Sequence, residues 1–329
     1  MKKINDYQWP SFLNKPKIKF NFSLKEKNGI KLIKQIESFF EKEYGYKTIL
    51  FPSARSGIAS ILRFYKLDRS NEVFINKWVS HCIFNTVGRY TNISTSFVRP
   101  DLVIAVHKWG IEQKIKNKKK LKIIEDSVDS IILNKKNMFI NDSEFEFISL
   151  PKIIGSISGG LVITKHSPYI NFAKKEQNKN KKLGIYQSQM KFDDINKKRS
   201  FNTWLFYESI NTYTEYNSLL DIKKNLRNFF LNKKLIIFRR SYVKKNFKGI
   251  NYNQNRLGPI IPIKVKYIKN NNLMEKYFLK RNIHKNKYEI KKFEEVYLLP
   301  VHFRISEKKF KFFVNILNKS INKKYLIRK

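Results

Sequence analysis

Apolar residues recur at helical spacing from Ile30 to Phe40 (Ile30, Leu32, Ile33, Ile36, Phe39, Phe40), which predicts an amphipathic helix over about 30–44. The period then shortens. "KTILFPS" (47–53) predicts a short buried strand that enters a turn, and "GIASILRFYKL" (57–67) predicts the helix that follows. "EVFIN" (72–76) is strand-like and "HCIFNTVGRY" (81–90) helix-like. "STSFV" (94–98) and "LVIAV" (102–106) are expected as strands. "KLKIIEDS" (120–127), "EFEFISL" (144–150) and "GGLVIT" (159–164) complete the series. Strands separated by helical stretches of about ten residues imply crossover connections and a mostly parallel sheet. The fold class expected is therefore α/β, a large mostly parallel sheet flanked by helices. Ligands of such sheets sit beyond the carboxyl ends of the strands. The polar punctuation lies there: Ser53 to Ser56, Asp126, and Ser149 to Lys152.

Past Lys165 the pattern changes. The stretch to Lys234 is polar and reads as helical, with Trp204, Phe206, Tyr207, Tyr213 and Tyr216 among its aromatics. "PIIPIKV" (259–265) and "VYLLPVHF" (296–303) read as strands, and "NNLMEKYFLKRNI" (271–283) as a helix between them. "SEKKFKFFVNILNKSI" (306–321) reads as a last helix with Ser306 as its N-cap. The expected organisation is a large domain over 1–234, including the N-terminal helix and a helical connector, and a smaller C-terminal α/β domain over 235–329. No internal repeat is present.

Composition changes this picture little. The chain of 329 residues carries 68 Lys+Arg against 26 Asp+Glu, a net charge of +42. Such a field attracts phosphate polymers. Yet the lysines are dispersed, and Lys, Asn, Ile and Phe are all abundant, as an AT-rich coding sequence would produce. Zinc-ligand spacing and RNA-recognition aromatic motifs are absent from the sequence. Nucleic acid is thus a minor alternative, while a diffuse basic surface suits small anions such as nucleotides. The single cysteine, Cys82, cannot close an internal disulfide. No long uncharged apolar run predicts a membrane span, and the first residues lack a secretory pattern. A cytoplasmic enzyme without a metal site is the expectation.

Four stretches carry candidate chemistry. In "FPSARSGIASILR" a strand, a Ser/Gly turn and a helix start form a corner whose free N–H groups favour an anion. Ser56 adds a hydroxyl, and Gly57 would let a phosphate approach the backbone. An ordinary capped helix fits the same letters. In "INKWVSHC", Trp78 stands just past a strand end, where an indole can stack on a flat ring or fill a seam. In "LKIIEDSVDS" a buried strand delivers Glu125 and Asp126 to the ligand edge. A carboxylate held there calls for a cation, such as a protonated heterocyclic nitrogen, a salt-bridge partner or the start of a helix. In "FISLPKIIGSISGGLVIT", Lys152 stands at the lip of the site, where lost solvation can turn a lysine into a nucleophile. Alone, it also fits a solvated surface charge.

Taken in order, these stretches resemble the DegT/DnrJ/EryC1/StrS sugar aminotransferases, fold-type I enzymes that depend on pyridoxal 5'-phosphate. "SGIASIL" stands where that family places its phosphate turn, "WVS" where an aromatic stacks on the pyridine ring, and "IIEDSVD" where an aspartate meets the ring nitrogen. Lys152 precedes Gly159-Gly160 by seven residues, the spacing of the family's Schiff-base lysine. "VIAVHKWG" and "VYLLPVHFRISEKKFKFFVNIL" extend the likeness over most of the chain. The resemblance implies an aspartate aminotransferase-like fold. It implies Lys152 and Asp126 as catalytic residues and Ser56, Gly57, Ile58, Trp78, Asp126, Asp129, Ser149 and Lys152 as cofactor-binding ones. It implies a homodimer that moves an amino group from glutamate or glutamine to a keto-sugar, nucleotide-linked, for surface polysaccharide.

The chain also departs from the pattern. Asp129 replaces a glutamine, Ser149 lies three residues before the lysine rather than about five, and "ISGG" lacks the first glycine of a triplet. "YQSQM" (186–190) lacks the Asn and Arg of a "Y-N-x-R-M" segment that reaches the partner's cofactor. These departures keep open a member that retains the fold but has lost or altered transamination.

Overall fold

The computed structural model describes residues 26–116, 121–182, 185, 212–250, 255–286 and 289–327. Its centre is a seven-stranded sheet. In chain order the strands are β1 (Lys47–Phe51), β2 (Glu72–Ile75), β3 (Asn92–Ser94), β4 (Leu102–Val106), β5 (Lys122–Asp126), β7 (Phe145–Ser149) and β8 (Gly160–Thr164). The spatial order is β1-β8-β7-β5-β4-β2-β3. Strand β8 runs antiparallel to both neighbours, and the other pairings in the sheet are parallel. The central strands are mostly apolar because helices cover both faces of the sheet.

Alternation along the strands divides the core. Val162 packs with Phe51, Ile61, Phe145 and Phe147 on one face of the sheet, together with α2 (Ala54–Phe64), α3 (His81–Val87) and α5 (Ser167–Lys179). Leu161 and Ile163 pack on the other face with Ile36 and Phe40 of α1 (Glu26–Tyr44). That second core continues through α6 (Tyr216–Asn225) and α7 (Asn228–Asn246) into the C-terminal part. The division expected at 234/235 falls inside α7. Two buried arginines of α7 tie it forward: Arg239 donates to the carbonyls of His302 and Ile305, and Arg240 to those of Arg256 and Gly258.

The C-terminal part holds a three-stranded antiparallel sheet, β10 (Ile260–Lys264), β12 (Glu289–Pro300) and β11 (Lys280–Asn286) in that order. Helices α8 (Asn271–Tyr277) and α9 (Glu307–Ser320) accompany it. Ser306 caps α9, its hydroxyl accepting from Lys309 N at 3.2 Å. A short two-stranded pairing, β6 (Ile131–Ile132) with β9 (Arg256–Leu257), joins the two parts. Trp109, from the turn after β4, packs into the small sheet against Ile260, Ile283, Val296 and Leu298.

Two expected elements differ. The strand expected at 94–98 lies instead at Asn92–Ser94, because residues 92–94 hold the register with 72–74. The helix expected over 271–283 stops at Tyr277, and 280–286 extend as β11 because Lys280 to His284 pair with Tyr297 to Phe293. Tertiary pairing outweighs local propensity at both places. Trp204, Phe206, Tyr207 and the "YQSQM" stretch lie outside the described residues.

Candidate active site

Three chain segments meet at the end of the sheet. The first is the β1–α2 turn. Ser53 caps α2, its hydroxyl accepting from Ser56 N at 3.2 Å and lying 3.1 Å from the Ser56 hydroxyl. The second is the loop from β7 to β8, which carries Lys152 on the one-turn helix α4 (Leu150–Ile153). Gly159 N donates to Pro52 O at 2.7 Å, and Leu150 N to Gly159 O at 3.0 Å, so the lysine loop is pinned to the serine turn. Gly160 is required there: a Cβ would lie 2.1 Å from Ala54 N. The expected reason for Gly57 needs correction. A Cβ on Gly57 would lie 2.6 Å from Val162 Cγ2, so this glycine admits the sheet rather than a phosphate. Ile58 has its side chain wholly buried in the core beneath, which leaves only its backbone to serve the turn.

The third segment is the end of β5. Asp126 is 1% exposed. Its Oδ1 accepts from Val128 N at 2.9 Å, while Oδ2 is buried without a hydrogen-bond partner. Burial lifts this carboxyl to about 7, aided by the nearby Asp129 charge. Three residues on, Asp129 meets Lys152 directly, Nζ donating to Oδ1 at 2.6 Å. Burial by itself pulls the Lys152 ammonium down. The charge and hydrogen bond of Asp129 outweigh burial and hold Lys152 above an ordinary lysine. Ser149 sits half-buried before α4, and its side chain does not cap that helix.

Trp78 is 39% exposed and meets Phe293 of β12 edge-on, with ring centroids 5.5 Å apart. A residue that sequence reasoning missed connects it to the site. Lys108, just past β4, donates to the Trp78 carbonyl at 2.7 Å and to the Asn282 carbonyl of β11 at 3.0 Å. Burial drops Lys108 to about 8, with Asp129 pulling up and Lys152 and Arg281 pushing down. Its local signal was its place beside His107 at a strand end, but its contact with Asn282 spans 174 residues.

A second charged cluster lies behind the site. Glu125, Glu146 and Arg256 are wholly buried. Arg256 meets Glu146 and Ser127 at 2.5 Å and Glu125 at 3.7 Å. His107 Nδ1 accepts from Gln113 N at 3.0 Å, so its Nε2 donates to Glu125 at 2.9 Å. Burial takes this imidazole down to about 3, so it is neutral. His107, Glu125 and Glu146 bring possible ligand atoms within 4.8 Å of one another. The Arg256 guanidinium already supplies their cation, and the cluster is an ion-pair network.

The sheet order, the single antiparallel strand and a lysine facing carboxylates at the strand ends define a fold-type I architecture. Residues 36–323 match the family described as "Putative PLP-dependent aminotransferase". The chain belongs to this family, and its cofactor is pyridoxal 5'-phosphate. Solved structures of similar fold include DesI, in the presence of its TDP-sugar product, at 10% identity and a TM-score of 0.61, covering 88% of this chain and 84% of that one. NtdA of Bacillus subtilis, with bound cofactor PMP, matches at 14% identity and a TM-score of 0.59, covering 87% and 77%. Helicobacter pylori PseC, an aminotransferase involved in the biosynthesis of pseudoaminic acid, matches at 13% identity and a TM-score of 0.53, covering 88% and 90%. A search of curated proteins found no match. Among the described residues no helix is long and apolar enough to cross a membrane.

The site fits the cofactor. The unpartnered Asp126 Oδ2 is an acceptor that a protonated pyridine nitrogen would satisfy. The Ser53–Ser56 turn opens a helix N-terminus suited to a phosphate. The Lys152 side chain is 26% exposed, and its loop is pinned to that turn through Gly159 and Pro52.

Proposed function

We propose that this transaminase moves an amino group from an amino acid, glutamate or glutamine, to a keto-sugar linked to a nucleotide, in the making of a surface polysaccharide. The observation that carries the reading is the Lys152–Asp129 ion pair set in the same site as a buried Asp126 that has an acceptor left open. The basic charge of +42 suits an anionic nucleotide-sugar, and DesI, a structure of like fold, was solved with a TDP-sugar product. A homodimer is part of the proposal, as is a cytoplasmic setting.

Pyridoxal phosphate supplies an aldehyde that carries the amino group and a ring that stores electrons. The chain does the rest. Lys152 Nζ is the amine of the site and its mobile proton carrier. Asp126 Oδ2 would hold the ring nitrogen in its protonated form. Ser53, Ser56 and the first N–H groups of α2 would bind the phosphate. Trp78 would offer an aromatic face, and Asp129 with Ser149 would complete the wall.

The test starts with the purified protein and pyridoxal phosphate. A visible absorption band in wild type, absent in Lys152→Ala, supports the site. Glutamate or glutamine should then bleach the band, and a nucleotide-linked keto-sugar should restore it. No band in wild type would end the transaminase reading. A band that no amino donor bleaches would favour a member that keeps the fold without transamination.

A further inference from the structure

Asp129 is a carboxylate pointed at the working amine. We propose that Asp129 is a positioning residue that keeps Lys152 protonated and aimed, so that this chain takes up its cofactor at a more alkaline pH than a neutral residue at 129 would set. The second half of that statement rests on the reading above; the first does not.

The geometry carries the argument. Lys152 Nζ lies 2.6 Å from Asp129 Oδ1, and the two side chains are only 26% and 10% exposed, so solvent screens the pair weakly. Among the described residues, three further groups act on the amine electrostatically. Asp126 ends β5, but burial leaves it half-charged near neutral pH, so it is a weak counter-ion there. Cys82 of α3 adds an upward pull that ranks below the Asp129 charge and bond. Lys108, after β4, is a second cation whose charge opposes that of Lys152. Asp129 therefore serves two lysines. Lys152 has its direct bond, whereas Lys108 bonds the uncharged carbonyls of Trp78 and Asn282. Of the two, Lys108 gives up its proton first. An amine must shed a proton before its lone pair can attack a carbonyl, so the Asp129 charge delays that chemistry to higher pH. An asparagine could still accept one hydrogen bond but would bring no charge. Burial and Lys108 would then pull the Lys152 amine down together.

The test uses the apoprotein and an N-hydroxysuccinimide acetate ester, which acylates free amines and releases N-hydroxysuccinimide. Labelling of individual lysines is followed by peptide mass spectrometry as pH rises. In wild type the Lys152 midpoint should lie above that of exposed lysines in the same digest. In Asp129→Asn it should fall by about one pH unit or more, a roughly tenfold faster labelling below both midpoints. The Lys108 midpoint should fall with it. Asp129→Glu should restore the wild-type order. Equal midpoints in wild type and Asp129→Asn would overturn the proposal, as would Asp129→Glu behaving like Asp129→Asn. Unfolding of a variant has its own signature, since Lys108 would then rise toward an ordinary lysine. In that case the wild-type curve decides, and a Lys152 midpoint at or below the exposed lysines overturns the proposal. Pyridoxal phosphate itself is the second probe: its visible band should form faster at neutral pH in Asp129→Asn. Wild type that binds no cofactor would sink the transaminase reading and leave the ion pair standing. Unchanged midpoints beside a normal cofactor band would sink the ion-pair proposal alone.

Discussion

Glu125 and Asp126 are adjacent on β5, and they live in opposite worlds. Successive residues of a strand point to opposite faces. Glu125 enters a network in which every oxygen is used: it accepts from Asn141 N at 2.8 Å, Ile140 N at 3.1 Å, the Ser143 hydroxyl at 3.0 Å and His107. Arg256 supplies the charge. Burial alone would pull that guanidinium down, but Glu146, Glu125 and Glu112 outweigh it. Asp126 has one backbone donor and an oxygen with none. In the first cluster every Glu125 oxygen is bonded, although Arg256 Nε makes no hydrogen bond. The unsatisfied Asp126 oxygen leaves bonding capacity for something that arrives later. A buried polar atom without a partner costs stability, and at Asp126 the proposed cofactor would supply the missing donor.

The comparison can be broken at several points. The largest effect is expected from Lys152→Ala. Transamination should drop by about 10³-fold or more, with a smaller stability loss of about 1–3 kcal/mol from leaving Asp129 unpaired. A stability loss equal to the activity loss would place Lys152 in the structural cluster instead. Arg256→Met should do the reverse. It strands two buried carboxylates and should cost about 3–5 kcal/mol in urea denaturation. A near-neutral result would show that the closed cluster is not what holds the sheet end.

Asp126→Asn sharpens the contrast through pH. Burial puts the folded Asp126 at about 7, above its unfolded value near 3.8. Between those values the folded chain keeps a proton that the unfolded chain has lost. The group's contribution to stability is therefore full below about 4 and fades as pH rises through about 7. Asp126→Asn should leave apoprotein stability near pH 4 unchanged. Near pH 8 it should raise stability by up to about 4 kcal/mol while weakening cofactor retention. Equal stability of the two proteins at both pH values would remove the argument for a strained carboxyl. Ser306→Ala is the smallest test and a control remote from both clusters. It removes the α9 cap and should cost about 1 kcal/mol in thermal denaturation, with the cofactor band intact.

Much was written locally. Lys152, Asp126 and the Ser53–Ser56 turn follow from apolar runs that end in polar residues, since such ends are where a parallel sheet presents its ligands. The Ser306 cap follows from its place before an amphipathic run. The fold class and the succession of the sheet's main strands along the chain follow from the same periodicity, and the family from the ordered motifs.

What local pattern could not supply was which distant residues close around those ends. Arg256 stands 110 residues from Glu146, and nothing in its neighbourhood marks it as their cation. Lys108 looked like one lysine among 68 Lys+Arg until the small sheet brought the Asn282 carbonyl to it. Gly57 matched a phosphate motif, yet its lack of a Cβ is demanded by Val162, a contact set by strand order. Asp129 stood out as a departure from a pattern, and the ion pair with Lys152 gives that departure a physical role. The sequence by itself determined the elements and the chemistry offered at their ends, because periodicity and capping act over a few residues. Tertiary structure alone decided which charges are paired and which is left open, because burial and partnership depend on segments far apart in the chain.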